Sequence, residues 1–122
     1  GNTEAMAKAV AEGAGAPLIS AADFGAAQAA ELDGIAFGCP AMGAEALEET
    51  EFEPMFESVK GSLAGKRVAL FGSYGWGDGD WMQLWEDDCR AAGISLVCPS
   101  VICQGEPDAQ ALAKCKALGA AL

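Results

Sequence analysis

A chain of 122 residues holds one domain with one core, and its 52% apolar and 20% charged residues are those of a globular protein. Seven basic residues against 18 acidic ones leave a formal net charge of -11, which excludes nucleic acid as a partner and favours proteins with basic docking surfaces. The complete lack of histidine removes the commonest general base and metal ligand, and no run approaches the roughly 18 uninterrupted apolar residues of a membrane span. No basic stretch leads into an apolar one, so no secretory signal is read and the expected location is the cytoplasm.

In chain order, residues 3–12 predict a short amphipathic helix with Met6 and Val10 one turn apart, opened by an Asn2-Thr3 cap and stopped at Gly13. Pro17-Leu18-Ile19 is a short strand candidate. Gly34-Ile35-Ala36-Phe37-Gly38, an apolar run between glycines closed by Cys39-Pro40, predicts a strand covered on both faces. Residues 44–60 are acidic and are broken by Pro54, which suggests a loop leading into a helix over 55–63. Residues 67–71 are the clearest strand, followed by the glycine-rich Gly72-Ser73-Tyr74-Gly75-Trp76-Gly77-Asp78-Gly79. Trp81, Leu84, Trp85 and Cys89 recur at helical spacing over 80–92. Residues 94–97 and 100–102 form a last strand interrupted by Pro99, and Pro107 opens a helix with an apolar stripe of Leu112, Cys115, Leu118 and Leu122. The five cysteines, Cys39, Cys89, Cys98, Cys103 and Cys115, fall at no zinc-like or redox-motif spacing and read as reduced thiols, so no metal site is expected.

Strands alternating with helices imply an α/β fold: an open parallel sheet with helices on both faces. Ligands of such sheets bind beyond the carboxyl ends of the strands, where the loops at 39–45, 72–79 and 103–106 should meet. Four glycines in the eight residues of the 72–79 loop let backbone approach a ligand closely, and Trp76 among them is a poor core residue but a good lid for a planar ring. A Met-Gly after a strand, as at Met42-Gly43, reads equally well as a turn with a packed methionine.

Three segments together resemble the short-chain, clostridial-type flavodoxins: Gly1-Asn2-Thr3-Glu4-Ala5-Met6-Ala7, Gly38-Cys39-Pro40-Ala41-Met42-Gly43 with Glu45, and Val68-Ala69-Leu70-Phe71-Gly72-Ser73-Tyr74-Gly75-Trp76-Gly77-Asp78-Gly79 with Trp81-Met82. The resemblance runs in order over nearly the whole chain and implies a single flavodoxin-like domain over 1–122 that binds FMN as a low-potential, one-electron carrier between redox proteins. It implies no catalytic residue. Gly1, Asn2 and Thr3 would end the phosphate loop at a helix N-terminus, with Ser73 adding a hydroxyl. Ala41, Met42, Gly43, Ala44 and Glu45 would cover the inner side of the isoalloxazine, the Glu45 carboxylate accepting N3-H. Tyr74, Gly75, Trp76 and Gly77 would form the outer side, with Trp76 stacked on the ring, and backbone at Gln104 would meet the pyrimidine end. The peptide after Gly43 would turn over on reduction, and Ala44 stands where relatives carry an acidic or polar residue. The acidic run from Glu45 to Glu57 is ordinarily a solvated face; in a carrier it would also be the docking surface.

Family members open with a further strand before the Gly-Asn-Thr, central in the implied order 2-1-3-4-5, and that first strand is missing from the given chain. An intact member is expected to be a monomer; a truncated one should be unstable, rearranged, or oligomeric through its exposed strand edges. Two other functions compete with the carrier. One is a flavodoxin-fold remnant acting as a non-redox interaction module, opposed by the Met42, Glu45 and Trp76 set; the other is a flavodoxin-like domain of a flavin-dependent oxidoreductase, opposed by small size and the absence of histidine.

Overall fold

The computed structural model describes residues 2–41, 51–75 and 79–122. Three parallel strands, β1 (Gly34–Gly38), β2 (Arg67–Tyr74) and β3 (Val101–Gln104), form one sheet in the order β1-β2-β3. Ile35 pairs with Val68 and Phe37 with Leu70, while Phe71 pairs with Val101 and Ser73 with Cys103. Helices α1 (Asn2–Ala14) and α5 (Ala109–Ala120) cover one face. On the other lie α3 (Phe52–Val59) and α4 (Asp80–Ala91), with the short α2 (Ala26–Ala30) beside them. This is the α/β architecture the sequence implies, a parallel sheet with helices on both faces.

Side-chain alternation along the strands divides the core into two layers. Ile35, Phe37, Val68 and Leu70 point into the layer under α3 and α4, where Phe52, Phe56, Trp81 and Trp85 meet them. Ala69 and Phe71 point the opposite way, onto Met6, Val10, Cys115 and Leu118 of α1 and α5. Central β2 is therefore buried from Val68 through Ser73, which is why its sequence is nearly continuous in apolar and small residues. Edge-to-face contacts lock the first layer: Phe37 to Phe56 at 5.2 Å and Phe52 to Trp85 at 5.3 Å between ring centroids.

The second layer is held by an unusually close helix pair. Gly13 of α1 faces the Lys116 carbonyl and Gly119 of α5 faces the Val10 carbonyl, each with no room for a Cβ. That contact carries α1 past the expected stop at Gly13 to Ala14, with Gly15 taking the left-handed turn at φ 63°.

Other expectations are corrected by packing. Residues 17–19 form no strand, and Leu18 and Ile19 are 53% and 43% exposed. Leu84 faces out while its neighbour Met82 is buried, because α4 turns its Trp81, Met82, Trp85 and Cys89 side toward the sheet. Leu96 makes only an isolated bridge to Val68, and regular pairing begins at Val101, beyond Pro99, which has no N–H to give a ladder. α2 lies in a polar, alanine-rich stretch for which the sequence predicts no element; the Gln28 side chain accepts the Gly25 N–H at 3.0 Å and closes its N-terminus. Among the described residues no helix is long and apolar enough to cross a membrane.

All five cysteines are free thiols. Burial pushes Cys89 and Cys115 up to about 11, with Asp88 adding to the effect at Cys89 and Cys103 at Cys115. A buried thiol with a raised folded-state pKa keeps its full contribution below the ordinary thiol range near ~8.5 and loses it as pH rises toward about 11. Lys60 acts in the same direction, raised by its hydrogen bonds to Asp88 at 3.0 and 3.1 Å. We expect stability to fall between pH 8.5 and 11 by on the order of 2 kcal/mol per buried thiol. Urea unfolding at pH 7.5 and 10.5 measures this; Cys115→Ala should flatten the slope, and an unchanged slope would refute the assignment.

Candidate functional site

The carboxyl ends of all three strands converge at one edge of the sheet. β1 does not stop pairing at Gly38: the amides of Cys39 and Ala41 donate to the carbonyls of Phe71 and Ser73 at 3.2 and 2.9 Å. Ala41 is thereby held against the end of β2. On the other side the Gly105 amide donates to Tyr74 O at 2.9 Å, and the Gln104 side-chain amide reaches Gly75 O at 3.5 Å. Ala41, Ser73, Tyr74, Gly75 and Gln104 are therefore brought to one edge by backbone pairing. Gly72 makes this crowding workable, because a Cβ there would overlap the Cys39 carbonyl and press on Trp81. Trp81 in turn packs against Tyr74 at the end of β2, with ring centroids 5.4 Å apart.

The polar centre of the edge is a hydroxyl pair. Thr3 Oγ1 lies 2.6 Å from Ser73 Oγ, joining the first turn of α1 to the end of the central strand. Ser73, at 7% exposure, is the one buried polar residue among those described. The first-turn amides of a helix have no intrahelical partner and carry partial positive charge, so two hydroxyls beside them suit a phosphate without a lysine or arginine. The donor chemistry therefore fits the phosphate of FMN. Lys8 is the nearest cation along α1 and is paired with Glu4 at 3.4 Å, which holds the Glu4 carboxyl below its usual range.

Behind the edge, the Cys103 thiol touches Met6 Sδ at 3.4 Å and donates to Gly105 O at 3.6 Å. Burial, with Asp108 adding to it, raises its pKa, so Cys103 packs as a neutral thiol. No group of metal-ligating side chains occurs among the described residues. Of the residues the sequence points to, Asn2, Thr3, Ala41, Ser73, Tyr74, Gly75 and Gln104 are described. Gly1, Met42, Gly43, Ala44, Glu45, Trp76 and Gly77 lie outside the described residues, as does the start of the acidic run. Sequence reading missed Gly72 and Trp81 as supports of the site; the available signal was the glycine directly before Ser73, at the end of a strand buried on both faces.

An open parallel sheet with helices on both faces and its strand carboxyl ends at one edge defines an α/β protein of the flavodoxin-like kind. The chain belongs to the flavodoxin family: a family model described as flavodoxin matches residues 1–119. It is 44% identical over 113 residues to a flavodoxin of Clostridium beijerinckii, covering 88% of this chain and 82% of that one. With a flavodoxin of Megasphaera elsdenii it shares 39% over 126 residues, covering 99% and 90%. The solution structure of the two-electron reduced Megasphaera elsdenii flavodoxin superposes with a TM-score of 0.86, at 40% identity over 99% of this chain and 90% of that one. A flavodoxin structure from the domain Archaea gives 0.84 at 29% identity, covering 98% and 87%. Flavodoxins are electron-transfer proteins that bind FMN and exchange electrons with redox partner proteins.

Proposed function

We propose that the chain is a flavodoxin of the short-chain kind, a single domain over residues 1–122 that carries one electron at a time on FMN at low potential. The observation that carries this is the Thr3–Ser73 hydroxyl pair at the N-terminus of α1, placed where the strand ends converge. Bound FMN supplies the one-electron chemistry. Gly1, Asn2, Thr3 and Ser73 hold its phosphate. Ala41, Met42, Gly43, Ala44 and Glu45 cover one side of the ring, and the Glu45 carboxylate accepts a hydrogen bond from the flavin N3–H. Tyr74, Gly75, Trp76 and Gly77 cover the other side, and Gln104 meets the pyrimidine end. Gly43 lets the following peptide reorient, since glycine adopts both turn conformations with little strain. The surrounding carboxylates disfavour added negative charge, which lowers the potential for the second electron.

The same carboxylates form the docking face for partners with basic surfaces, in a monomeric cytoplasmic protein with neither nucleic acid nor membrane as partner. A net charge of -11 supports this reading.

Stepwise reduction followed by visible spectroscopy tests the carrier. A yellow protein that accepts its electrons in two separated steps is expected; a colourless protein that takes up no FMN refutes it. Trp76→Ala should weaken FMN binding roughly tenfold by loss of ring stacking, read by fluorescence titration. Unchanged affinity would remove Trp76 from the ring site.

A further inference from the structure

The core layer beneath α1 and α5 holds three of the five thiols, and they are not alike. Cys115 of α5 is fully buried, whereas Cys98 and Cys103 pack against the same cluster and are partly exposed. Cys103 stands in β3 with its side chain turned, like that of Val101, toward this layer. Its thiol hydrogen has two acceptors within reach, Met6 Sδ at 3.4 Å and the Gly105 carbonyl at 3.6 Å. The sulfurs of Met6, Cys103 and Cys115 thus gather where α1, β3 and α5 meet.

Cys103 pairs with Cys115 and not with Cys98. Among the described residues Cys103 is the charged neighbour that adds to burial in opposing ionisation of Cys115. Cys98 instead lines an edge pocket with Lys114, Ala117 and Leu118. Register sets Cys103 level with Ser73 and Val101 level with Phe71, and Cys98 lies three residues further back. That leaves roughly 10 Å or more between the backbones of Cys98 and Cys103, whereas a disulfide needs Cα atoms within about 7 Å. Burial also fixes an order: an external reagent meets Cys103 first, and Cys115 can react only from within.

We propose that Cys103 and Cys115 are an oxidisable dithiol pair, Cys103 attacking and Cys115 resolving, whose disulfide joins β3 to α5 and loosens the phosphate end of the site. The oxidant is a low-molecular-weight disulfide. The Cys103 thiolate attacks one of its sulfurs and expels the other as a thiolate, leaving Cys103 in a mixed disulfide. The Cys115 thiolate then attacks the Cys103 sulfur and expels the second small thiolate. The protons lost by Cys103 and Cys115 pass to the two expelled thiolates, and two electrons pass from the cysteine pair to the oxidant. One S–S bond breaks for the one that forms. Burial and Asp108 hold Cys103 protonated, so the pair answers to a sustained oxidising poise and not to brief exposure.

A disulfide sulfur has no hydrogen to donate, so bridging removes the hydrogen bonds that Cys103 offers Met6 and Gly105. Met6 sits one turn after Thr3 on α1, and Cys103 is the register partner of Ser73. The Met6–Cys103 contact therefore runs beside the Thr3–Ser73 hydroxyl pair and helps to hold it. This coupling rests on the FMN reading above; the dithiol pair itself does not.

The test incubates the purified protein with oxidised glutathione, blocks the remaining free thiols, and maps the peptides by mass. A Cys103–Cys115 link with the loss of two hydrogens is expected. Cys115→Ala should stop at a glutathione adduct on Cys103, and Cys103→Val, which suits a strand and keeps the volume, should leave Cys115 unmodified. A bridge containing Cys98, a wild-type chain in which Cys103 carries glutathione without bridging, or Cys115 modified as fast in Cys103→Val each overturns the proposal. FMN and riboflavin are then titrated into the bridged and the reduced protein. FMN affinity about tenfold lower in the bridged form, restored by dithiothreitol, with riboflavin unchanged, supports the coupling. Equal losses for both flavins, or none, remove the coupling; a reduced protein that bridges as expected but binds neither flavin refutes the FMN reading alone.

Discussion

Replacing Gly119 by alanine lowers the stability of the fold by about 2 kcal/mol, against the usual effect of that change in a helix. In a helix interior glycine to alanine gains roughly 0.5–1 kcal/mol through reduced backbone freedom. Here the new methyl meets the Val10 carbonyl oxygen and carbon and the Ala14 amide nitrogen of α1. These are backbone atoms, which cannot rotate aside as a side chain can, so α1 must move away from α5. Overpacking of this kind costs about 1–3 kcal/mol or more, which exceeds the helix gain. Gly13→Ala meets the Lys116 backbone from the opposite direction and should behave alike. Gly61→Ala, with nothing within 4 Å, is the control and should be nearly neutral. Urea midpoints of the three variants decide the matter; a stabilised Gly119→Ala would show that the helices are not in backbone contact. Because Thr3 rides on α1, the same displacement should also weaken FMN binding in the destabilised variants.

The pair Thr3→Val with Ser73→Ala lowers affinity for FMN about a hundredfold and affinity for riboflavin hardly at all. Both substitutions preserve approximate volume while removing the hydroxyls that stand 2.6 Å apart. Hydrogen bonds to a charged group contribute about 1.5–3 kcal/mol each, and the phosphate here has no lysine or arginine to replace them. The loss should fall on the dissociation rate, since the net charge of the protein is unchanged. Riboflavin lacks the phosphate, so it separates a lost anion contact from a damaged ring site. Equal losses for the two flavins would place the hydroxyl pair outside the phosphate contact. Each single variant should show a partial effect, with the Ser73 change also slightly altering stability because that residue is buried.

The position of the candidate site was legible in sequence wherever it depends on residue type at a fixed offset. Thr3 after Gly-Asn, Ser73 two residues past the end of the strand 67–71 and the four glycines around Trp76 could be placed without coordinates. The loop holding Gln104 could be brought to the same edge because a parallel sheet delivers every strand's carboxyl end to one side. The supports of the site were not legible. Gly72 is conspicuous in the chain, but that its hydrogen makes room for the Cys39 carbonyl depends on how two strand ends cross. Leu84 was misplaced for a related reason: on a helix whose apolar positions span more than one stripe, the chain does not say which side meets the sheet.

By itself the sequence determined the α/β alternation, the acidic balance of charge and the lack of histidine. These follow from period, turn chemistry and charge, which are local properties. Tertiary structure decided that α1 runs through Gly13, that Leu18 and Ile19 lie outside the sheet, and that Leu84 faces away from it. Each of those depends on what a distant segment places alongside, as the carbonyl of Lys116 does for Gly13 and the sheet does for the Trp81 and Trp85 side of α4. Local preference is worth tenths of a kilocalorie per residue, whereas such contacts are worth several, so where the two disagree the packing prevails.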